Sequence, residues 1–259
     1  MAAVAQQGDA IDIDRQLTTH LNPLDELNLA AQLAQAGYAF TTLDGFKGGM
    51  SRDDSAELKR TWHDLPLDPY LADGGRYRAR RHASLTQQGQ HLTLVPYRPH
   101  WQPTSYNAMH GGMLRAFSEI EHGVLLHRAF RALTTALGLV FNAASGQSAE
   151  TKWFIEAHQF RIDPSHGVGK PTPEGAHRDG VDYVALLLLD RVGIEGGVTT
   201  ILTPDKTLLA THCLMPNELM LLDDVRVIHE TTVIKATAAL SYRDSLVLTY
   251  RRAGFMDPV

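Results

Sequence analysis

Two histidines and one aspartate are the residues whose types and spacing most clearly suggest metal chemistry. His177 and Asp179 are separated by one residue, so on an extended backbone their side chains point to the same side. His229 follows fifty residues after Asp179, beside another apolar segment. Two imidazoles and one carboxylate can occupy one face of an iron(II) ion and leave positions open for a co-substrate and oxygen.

Other interpretations of these residues remain open at this point. The chain contains 13 histidines, so any one of them is weak evidence, and His177 and Asp179 could simply bond to each other in a loop. Histidine and carboxylate ligands with an open position also describe catalytic zinc sites, and His212 is an alternative third ligand. Asp223 and Asp224 precede His229 and could orient its ring from behind.

Arg243 favours iron over zinc. It begins an apolar segment that continues to Tyr250, and a buried arginine is costly without an anionic partner. A dicarboxylate that chelates a metal at one end would bring its far carboxylate to such a guanidinium, whose fork of donors suits it. Asp244 is the competing partner, but adjacent residues of a strand face opposite sides.

A cluster of arginines follows the turn at Gly74-Gly75. On a strand, Arg76, Arg78 and Arg80 would share one face, and Arg81 would lie on the other. One interpretation is a solvated, charged edge strand. The alternative is that one of these arginines binds a substrate carboxylate in a bidentate manner.

The order of elements predicts an α+β fold with a mostly β core. Helices are predicted from Pro23 to Ala36 and from Asp53 to Trp62, and the apolar spacing from Met113 to Leu137 predicts a long central helical region. Short strands then follow, a pattern typical of a jelly roll or barrel. The predicted strands are Lys152–Ile162, Tyr183–Leu189, Val198–Leu202, Leu219–Leu222, Thr231–Ile234 and Leu246–Tyr250.

No linker or repeat divides the chain, so we expect one domain over residues 1–259. Residues 1–20 are expected to fray, and residues 150–252 are expected to form the main jelly-roll core.

Composition narrows the functional classes. The net charge of -5 and pI of about 6.2 argue against nucleic acid or an anionic membrane as the main partner. Cys213 is the single cysteine, so an intrachain disulfide or a cysteine-based metal cluster is excluded, and a buried apolar role is expected for it. The sequence has no bilayer-length apolar run and no secretory signal pattern. We therefore expect a cytoplasmic protein, and the oligomeric state stays open.

The motif formed by His177, Asp179, His229 and Arg243 resembles that of the iron(II)/2-oxoglutarate-dependent dioxygenases. More narrowly, the sequence is similar to the bacterial branch that hydroxylates free or N-acylated aliphatic amino acids. The similar stretches are Gly75–Arg81, Asn107 with Gly111-Gly112, His158–Arg161, His177–Gly180, Gly196-Gly197 and Arg243-Asp244.

The resemblance implies a double-stranded β-helix with flanking helices, and Fe(II), 2-oxoglutarate (2OG) and O2 as cofactor and co-substrates. It implies that His177, Asp179 and His229 bind iron and that Arg243 binds the far carboxylate of 2OG. Because halogenating relatives lack the carboxylate ligand, Asp179 implies hydroxylation, with release of succinate and CO2.

The same resemblance suggests further binding residues. Gln159 and Arg161 share one face of a predicted strand, where they could contact 2OG or the substrate, or could simply make structural hydrogen bonds. Arg78, Arg80 or Arg81 is expected to bind the carboxylate of a small amino-acid-like substrate. The alternatives from other classes are a cupin-like metal-dependent hydrolase and a non-catalytic jelly roll that binds a small ligand.

Overall fold

The described part of the protein, seen in a computed structural model, covers residues 25–45, 52–107 and 109–258. The segment 1–20, which is expected to fray, lies outside these ranges. The fold is mostly β with flanking helices, as the sequence predicts. No helix in these ranges combines the length and apolar character of a membrane span.

Four α-helices are present in the described ranges, together with a short 3-10 turn at Leu43–Gly45. They are α1 (Glu26–Ala36), α2 (Arg52–Arg60), α3 (His122–Leu126) and α4 (Arg128–Ala144). Helix α1 begins where Asp25 Oδ1 accepts a hydrogen bond from the Asn28 amide at 2.9 Å and ends at Gly37 in the left-handed conformation.

Within the described residues, thirteen strands form three antiparallel sheets. They are β1 (Tyr38–Thr42), β2 (Arg78–Gln88), β3 (His91–Leu94), β4 (Lys152–Ile162), β5 (Val168–Gly169), β6 (Tyr183–Val192), β7 (Ile194–Gly196), β8 (Val198–Leu202), β9 (Leu208–Cys213), β10 (Glu218–Asp223), β11 (Ile228–Thr231), β12 (Ile234–Ala236) and β13 (Tyr242–Arg251). The seven-stranded sheet has the order β1-β10-β6-β13-β4-β2-β3, and the smaller sheets are β11-β8-β9 and β5-β12-β7.

The large sheet is buried on both faces, and residue parity decides which face each side chain joins. Along β6, Ala185, Leu187 and Leu189 pack in the cluster that contains α1 and α4. Val184 and Leu186 pack instead with Ile201 of β8, in the three-stranded sheet β11-β8-β9. The even-numbered residues of β4 from Glu156 to Ile162 and the odd-numbered residues of β13 from Arg243 to Thr249 line a cavity on the second face.

Two predictions about the extent of the elements are wrong. The core is not confined to residues 150–252, because β1, β2 and β3 also belong to the large sheet. The predicted strand Thr231–Ile234 is divided between β11 and β12.

The predicted central helix is also wrong in its first half. The chain turns at Gly112, whose φ is 77°, and then runs alongside β2 instead of coiling. The Ile120 amide donates to the His82 carbonyl at 3.1 Å, and Arg115 exchanges backbone hydrogen bonds with His100 at 2.9 and 3.0 Å. Because these partners satisfy the backbone, the segment is extended, and helix begins only at His122.

Candidate active site

The three residues of the predicted metal site come together at one edge of the cavity. His177 lies in the loop before β6, and His229 lies on β11. They form an isolated antiparallel bridge, in which the His177 amide donates to the His229 carbonyl at 3.1 Å and the reverse bond is 2.9 Å. Potential ligand atoms of these two residues and Asp179 all lie within 4.8 Å of one another, a spacing that one ion can bridge.

Both imidazoles are prepared to act as ligands. Nδ1 of His177 lies 2.8 Å from the Gly175 carbonyl oxygen, which can only accept, so Nδ1 carries a proton and Nε2 is the nitrogen left for a metal. Nε2 lies 3.3 Å from Glu174 Oε1, and although burial opposes it, the carboxylates of Asp179 and Glu174 raise the pKa of His177. Burial and the nearby His177 hold the pKa of His229 well below its usual value. His229 is therefore neutral near pH 7 and available as a ligand.

Asp224 fixes the loop that carries Asp179. Its carboxylate accepts hydrogen bonds from the backbone amides of Asp179, Gly180 and Val181 at 3.0, 2.7 and 3.0 Å. Burial and the negative charge of Asp179 raise the pKa of Asp224 to about 7. The aspartate after β10 therefore orients the loop of the carboxylate ligand, whereas the sequence suggested that Asp223 or Asp224 would orient His229.

Arg243 enters the same cavity from β13. Its side chain is only 3% exposed, and its Nη2 has no hydrogen-bond partner among the described residues. Burial and the nearby Arg191 lower the pKa of Arg243 to about 10, so the group is still charged at neutral pH. A buried guanidinium with an unsatisfied donor calls for an anionic partner.

Gln159 and Arg161 share one face of β4, as predicted, but that face points away from the cavity. Gln159 Nε2 donates to Thr61 Oγ1 at 3.0 Å. The guanidinium of Arg161 makes two hydrogen bonds to Asp244, at 2.8 and 2.6 Å. Neither side chain lines the cavity, so the expected contact with 2OG or substrate finds no support, and structural hydrogen bonds account for both residues.

The three arginines of β2 have different surroundings. Arg78 lines the cavity but is already paired with Asp68 through Nε at 2.8 Å and Nη2 at 2.7 Å. Arg81 faces away and binds the Glu119 carbonyl and the Glu121 carboxylate at 3.0 and 3.3 Å. The expected substrate role therefore has no geometric support for Arg81, and the Asp68 pair explains the burial of Arg78.

Arg80 is the member of the cluster that points into the cavity without a carboxylate at hydrogen-bond distance. Its guanidinium carbon lies 3.7 Å from the ring centre of Phe117 and 4.4 Å from that of Phe160, and it is 4% exposed. Nη2 lies 2.6 Å from His158 Nδ1, while Nε has no hydrogen-bond partner in the described structure. The group is held rigidly and retains an unused donor.

Sequence reasoning missed two groups that line the cavity. Arg115 lies in the segment that was predicted to be helical; its Nη2 donates to Gln102 Oε1 at 2.8 Å, and its Nε lacks a hydrogen-bond partner in the described part of the chain. Glu156 and His158 were detectable, because both lie on the predicted strand Lys152–Ile162 and share a face at i and i+2. The residue alternation predicts that face but not which side of the sheet it meets.

His212, the alternative third ligand, lies elsewhere. Its Nε2 is 2.8 Å from Glu218 Oε2, and neither residue lines the cavity. Cys213 is buried, as expected.

Comparison with known proteins identifies the family to which this site belongs. The sequence profile described as 2OG-Fe dioxygenase matches residues 59–249, a range that includes His177, Asp179, His229 and Arg243. The chain belongs to the 2OG-Fe dioxygenase family. Such enzymes use Fe(II), 2OG and O2, and this one is a 2OG-dependent dioxygenase.

Solved structures share the fold of this chain. The 2OG-Fe dioxygenase described here is 39% identical to a bsmA homolog from Methylobium petroleophilum PM1, with a TM-score of 0.86 over 94% of this chain and 99% of that one. IDO from Bacillus thuringiensis has the same fold, with 16% identity and a TM-score of 0.73 over 88% and 99% of the two chains.

The Fe(II)/(alpha)ketoglutarate-dependent dioxygenase TqaL also has this fold, with 19% identity and a TM-score of 0.68 over 88% and 87% of the chains. No curated protein sequence matches the chain.

The residues present fit the cofactor and co-substrate of the family. Two imidazoles and a carboxylate form the donor set that non-haem iron(II) oxygenases use. The unsatisfied Nη2 of Arg243 lies in the same cavity, where the distal carboxylate of 2OG would satisfy it.

Proposed function

We propose that this dioxygenase holds iron(II) with His177, Asp179 and His229, binds the distal carboxylate of 2OG with Arg243, and hydroxylates an unactivated C–H bond of a small amino-acid-like substrate. The observation that carries the co-substrate assignment is the buried Arg243 guanidinium, which has an unpartnered Nη2 and shares the cavity of the metal-binding triad. Without an anion this group would be costly to bury, and 2OG supplies that anion.

Two features of the cavity support a small carboxylate substrate with an aliphatic body. Arg80 and Arg115 each present an unused Nε donor, and a carboxylate is the ligand that a guanidinium binds best. Apolar side chains form another part of the wall, where an alkyl group would be shielded from water. They are Val181, Val184, Leu186, Val247 and Met256.

The residues of the chain would position the reactants, while the bound iron with its co-substrates would supply the oxidising power. Iron(II) with 2OG and O2 allows one oxygen atom to enter the substrate C–H bond and the other to enter succinate as CO2 leaves. Arg243 would fix one end of the co-substrate, and Arg80 would fix the carboxylate end of the substrate. Held in this way, only one stretch of the alkyl chain can lie beside the metal site, and position then selects the bond that reacts.

The direct test is anaerobic addition of Fe(II) and 2OG to the purified protein, followed by visible absorption spectroscopy. We expect the weak charge-transfer band of a 2OG–iron chelate, and we expect the band to disappear in a His177→Ala variant. Well-folded, metal-loaded protein without the band would refute the proposal. Succinate release from a panel of free and N-acylated aliphatic L-amino acids, with product mass rising by one oxygen atom, then tests hydroxylation.

A further inference from the structure

A second cluster of ionisable groups lies at the wall of the cavity. Arg80 on β2, Glu156 and His158 on β4, and His100 from the loop after β3 line the cavity, and His82 on β2 packs behind them. Ligand atoms of the three histidines and the glutamate lie within 4.8 Å of one another. The proposed iron ligands do not include any of them, so the cluster needs a role of its own.

Glu156 is a largely buried carboxylate, with its side chain 13% exposed, and it forms no ion pair with a lysine or arginine in the described part of the chain. Oε2 lies 3.1 Å from Nδ1 of His100, and Oε1 lies 3.3 Å from Nε2 of His82. Among the described residues, the ion-pair neighbours of Glu156 are these two histidines, and no lysine or arginine is one of them. A carboxylate offers about four lone-pair sites, so both oxygens retain capacity toward the cavity, which Glu156 lines.

The imidazoles do not neutralise this charge. Burial lowers the pKa of His100 to about 4, despite the nearby Glu156. Burial and Arg80 hold the pKa of His158 well below its usual value. Burial alone would raise the pKa of Glu156, but the adjacent imidazoles hold it well below its ordinary value. Near pH 7 the cluster therefore presents a carboxylate beside neutral rings.

A second metal ion fits this cluster poorly. Arg80 is a donor only, so His158 Nδ1 at 2.6 Å must accept its hydrogen bond. The ring proton then lies on Nε2, which leaves His158 without a lone pair for a metal. A divalent cation would also lie close to the guanidinium of Arg80, and like charges repel strongly in a buried site.

A primary ammonium group fits better than a metal. It carries a single charge and three N–H donors, so the free lone pairs of Glu156 can accept from it. The Arg80 guanidinium contacts the His158 ring, whose centre is 5.0 Å from that of His100, the hydrogen-bond partner of Glu156. Arg80 and Glu156 thus line one cavity as a cation and an anion joined through neighbouring imidazoles, an arrangement that suits the carboxylate and ammonium groups of an α-amino acid.

We infer that Glu156, held in position by its hydrogen bond with His100, binds the free ammonium group of an α-amino acid substrate, while Arg80 binds the substrate carboxylate. The inference rests on the proposed hydroxylase function and sharpens it, because it selects free amino acids over N-acylated ones. An amide nitrogen has no positive charge and only one N–H donor, so an N-acyl substrate would leave the buried carboxylate without a cation.

The first test uses the unmodified enzyme loaded with Fe(II) and 2OG. Free L-leucine, L-isoleucine, L-valine and L-methionine are compared with their N-acetyl derivatives and with the corresponding acids that lack the amine. We expect kcat/KM for at least one free amino acid to exceed that of both analogues by about 100-fold or more. Equal or faster turnover of the N-acetyl derivatives would overturn the inference and leave the hydroxylase proposal intact. Absence of the 2OG–iron band would instead refute the hydroxylase proposal itself.

The second test replaces the carboxylate by its uncharged isostere. In Glu156→Gln we expect kcat/KM for the free amino acid to fall by about 10- to 100-fold, because one charge-assisted contact is lost. The kcat/KM for the amine-free acid is expected to change far less. The ratio of the kcat/KM values for the two substrates therefore reports the role of the Glu156 charge in binding the ammonium group. Glu195→Gln, at an exposed position of β7, is the matched control, and the anaerobic band verifies that each variant is folded and loaded.

Two results would overturn the ammonium assignment. One is an equal fall for the amine-free acid in Glu156→Gln, which would mark a purely structural role. The other is a metal content of two ions per chain that drops to one in this variant, which would mark a second metal site.

Discussion

Arg243 and Asp244 are consecutive residues of β13, yet their side chains lie on opposite faces of the seven-stranded sheet. Arg243 enters the cavity, where its Nη2 lacks a hydrogen-bond partner among the described residues. Asp244 turns to the other face and receives two hydrogen bonds from Arg161. Strand alternation thus separates a cation from the nearest carboxylate in sequence and leaves the cation available for a bound anion.

The first prediction compares arginines on the two faces of the sheet, Arg243 on the cavity face and Arg161 on the opposite face. Arg243→Lys keeps the charge but loses the bidentate fork, so we expect the dissociation constant of 2OG to rise by about 10- to 100-fold. The measurement is an anaerobic titration of the 2OG–iron band. Arg161→Lys is the matched control, because it changes the same residue type on the opposite face. We expect it to lower stability slightly and to leave 2OG affinity within about twofold. A larger effect in Arg161→Lys than in Arg243→Lys would restore the role first suggested for Arg161.

Residue alternation explains both what the sequence predicted and what it missed. The separation of Arg243 from Asp244, and the shared face of Gln159 and Arg161, follow from alternation along one strand and could be predicted. Whether a face meets the helices or the cavity depends on packing with distant segments, and the sequence pattern carries no signal for that choice. For Gln159 and Arg161 the sequence therefore predicts the shared face but leaves open cavity contact or structural hydrogen bonds, and the structure shows the latter.

The miss at Arg115 has a different physical origin. Phe117, Ile120 and Val124 have helical spacing and are all buried, but the backbone around Arg115 pairs with His100 and continues alongside β2. A spacing of three to four residues also arises when an irregular segment packs against a core. Tertiary backbone partners therefore override the local pattern, and the cavity gains an arginine that sequence periodicity assigned to a helix.

A second prediction concerns the loop of the proposed carboxylate ligand. In Asp224→Asn one carboxylate oxygen becomes an NH2 donor, so the side chain loses either the hydrogen bond from the Asp179 amide or the two from the Gly180 and Val181 amides. We expect iron(II) affinity to fall by about 10- to 100-fold, the usual effect of removing a group that orients a ligand. The measurement is a competition titration with a chelator. Asp223→Asn is the control, since Asp223 accepts instead from the Val225 amide in the following turn. Equal losses in the two variants would contradict the orienting role of Asp224.

A third prediction distinguishes the arginines of β2. Arg80→Met retains an unbranched chain between Phe117 and Phe160 but removes the donors, so we expect the substrate KM to rise by about 10- to 100-fold. Affinity for 2OG should change by less than threefold, because the co-substrate is proposed to bind Arg243 instead. Arg81→Met, on the opposite face, should leave both constants unchanged. Steady-state kinetics with varied substrate and varied 2OG provide the check, and an unchanged substrate KM in Arg80→Met would remove Arg80 from the binding site.

The fourth prediction concerns stability at acid pH. Burial lowers the pKa of His100 from 6.5 to about 4, so between these values the unfolded chain binds a proton at this site that the folded chain does not. The free energy of unfolding therefore decreases as pH falls through this window, by up to about 1.4 kcal/mol per pH unit from His100 alone.

His100→Asn tests this contribution, because asparagine can still donate a hydrogen bond to Glu156 but does not titrate. We expect the slope of unfolding free energy against pH to become shallower by about 1.4 kcal/mol per pH unit between pH 6 and 4.5. Urea unfolding at each pH, in the presence of a chelator so that iron does not contribute, supplies the measurement. His91→Asn, at an exposed position of β3, should retain the original slope. If His100→Asn also retained the original slope, His100 would have to take up its proton over the same pH range in the folded and unfolded protein. The conclusion that the His100 ring beside Glu156 is neutral would then be wrong.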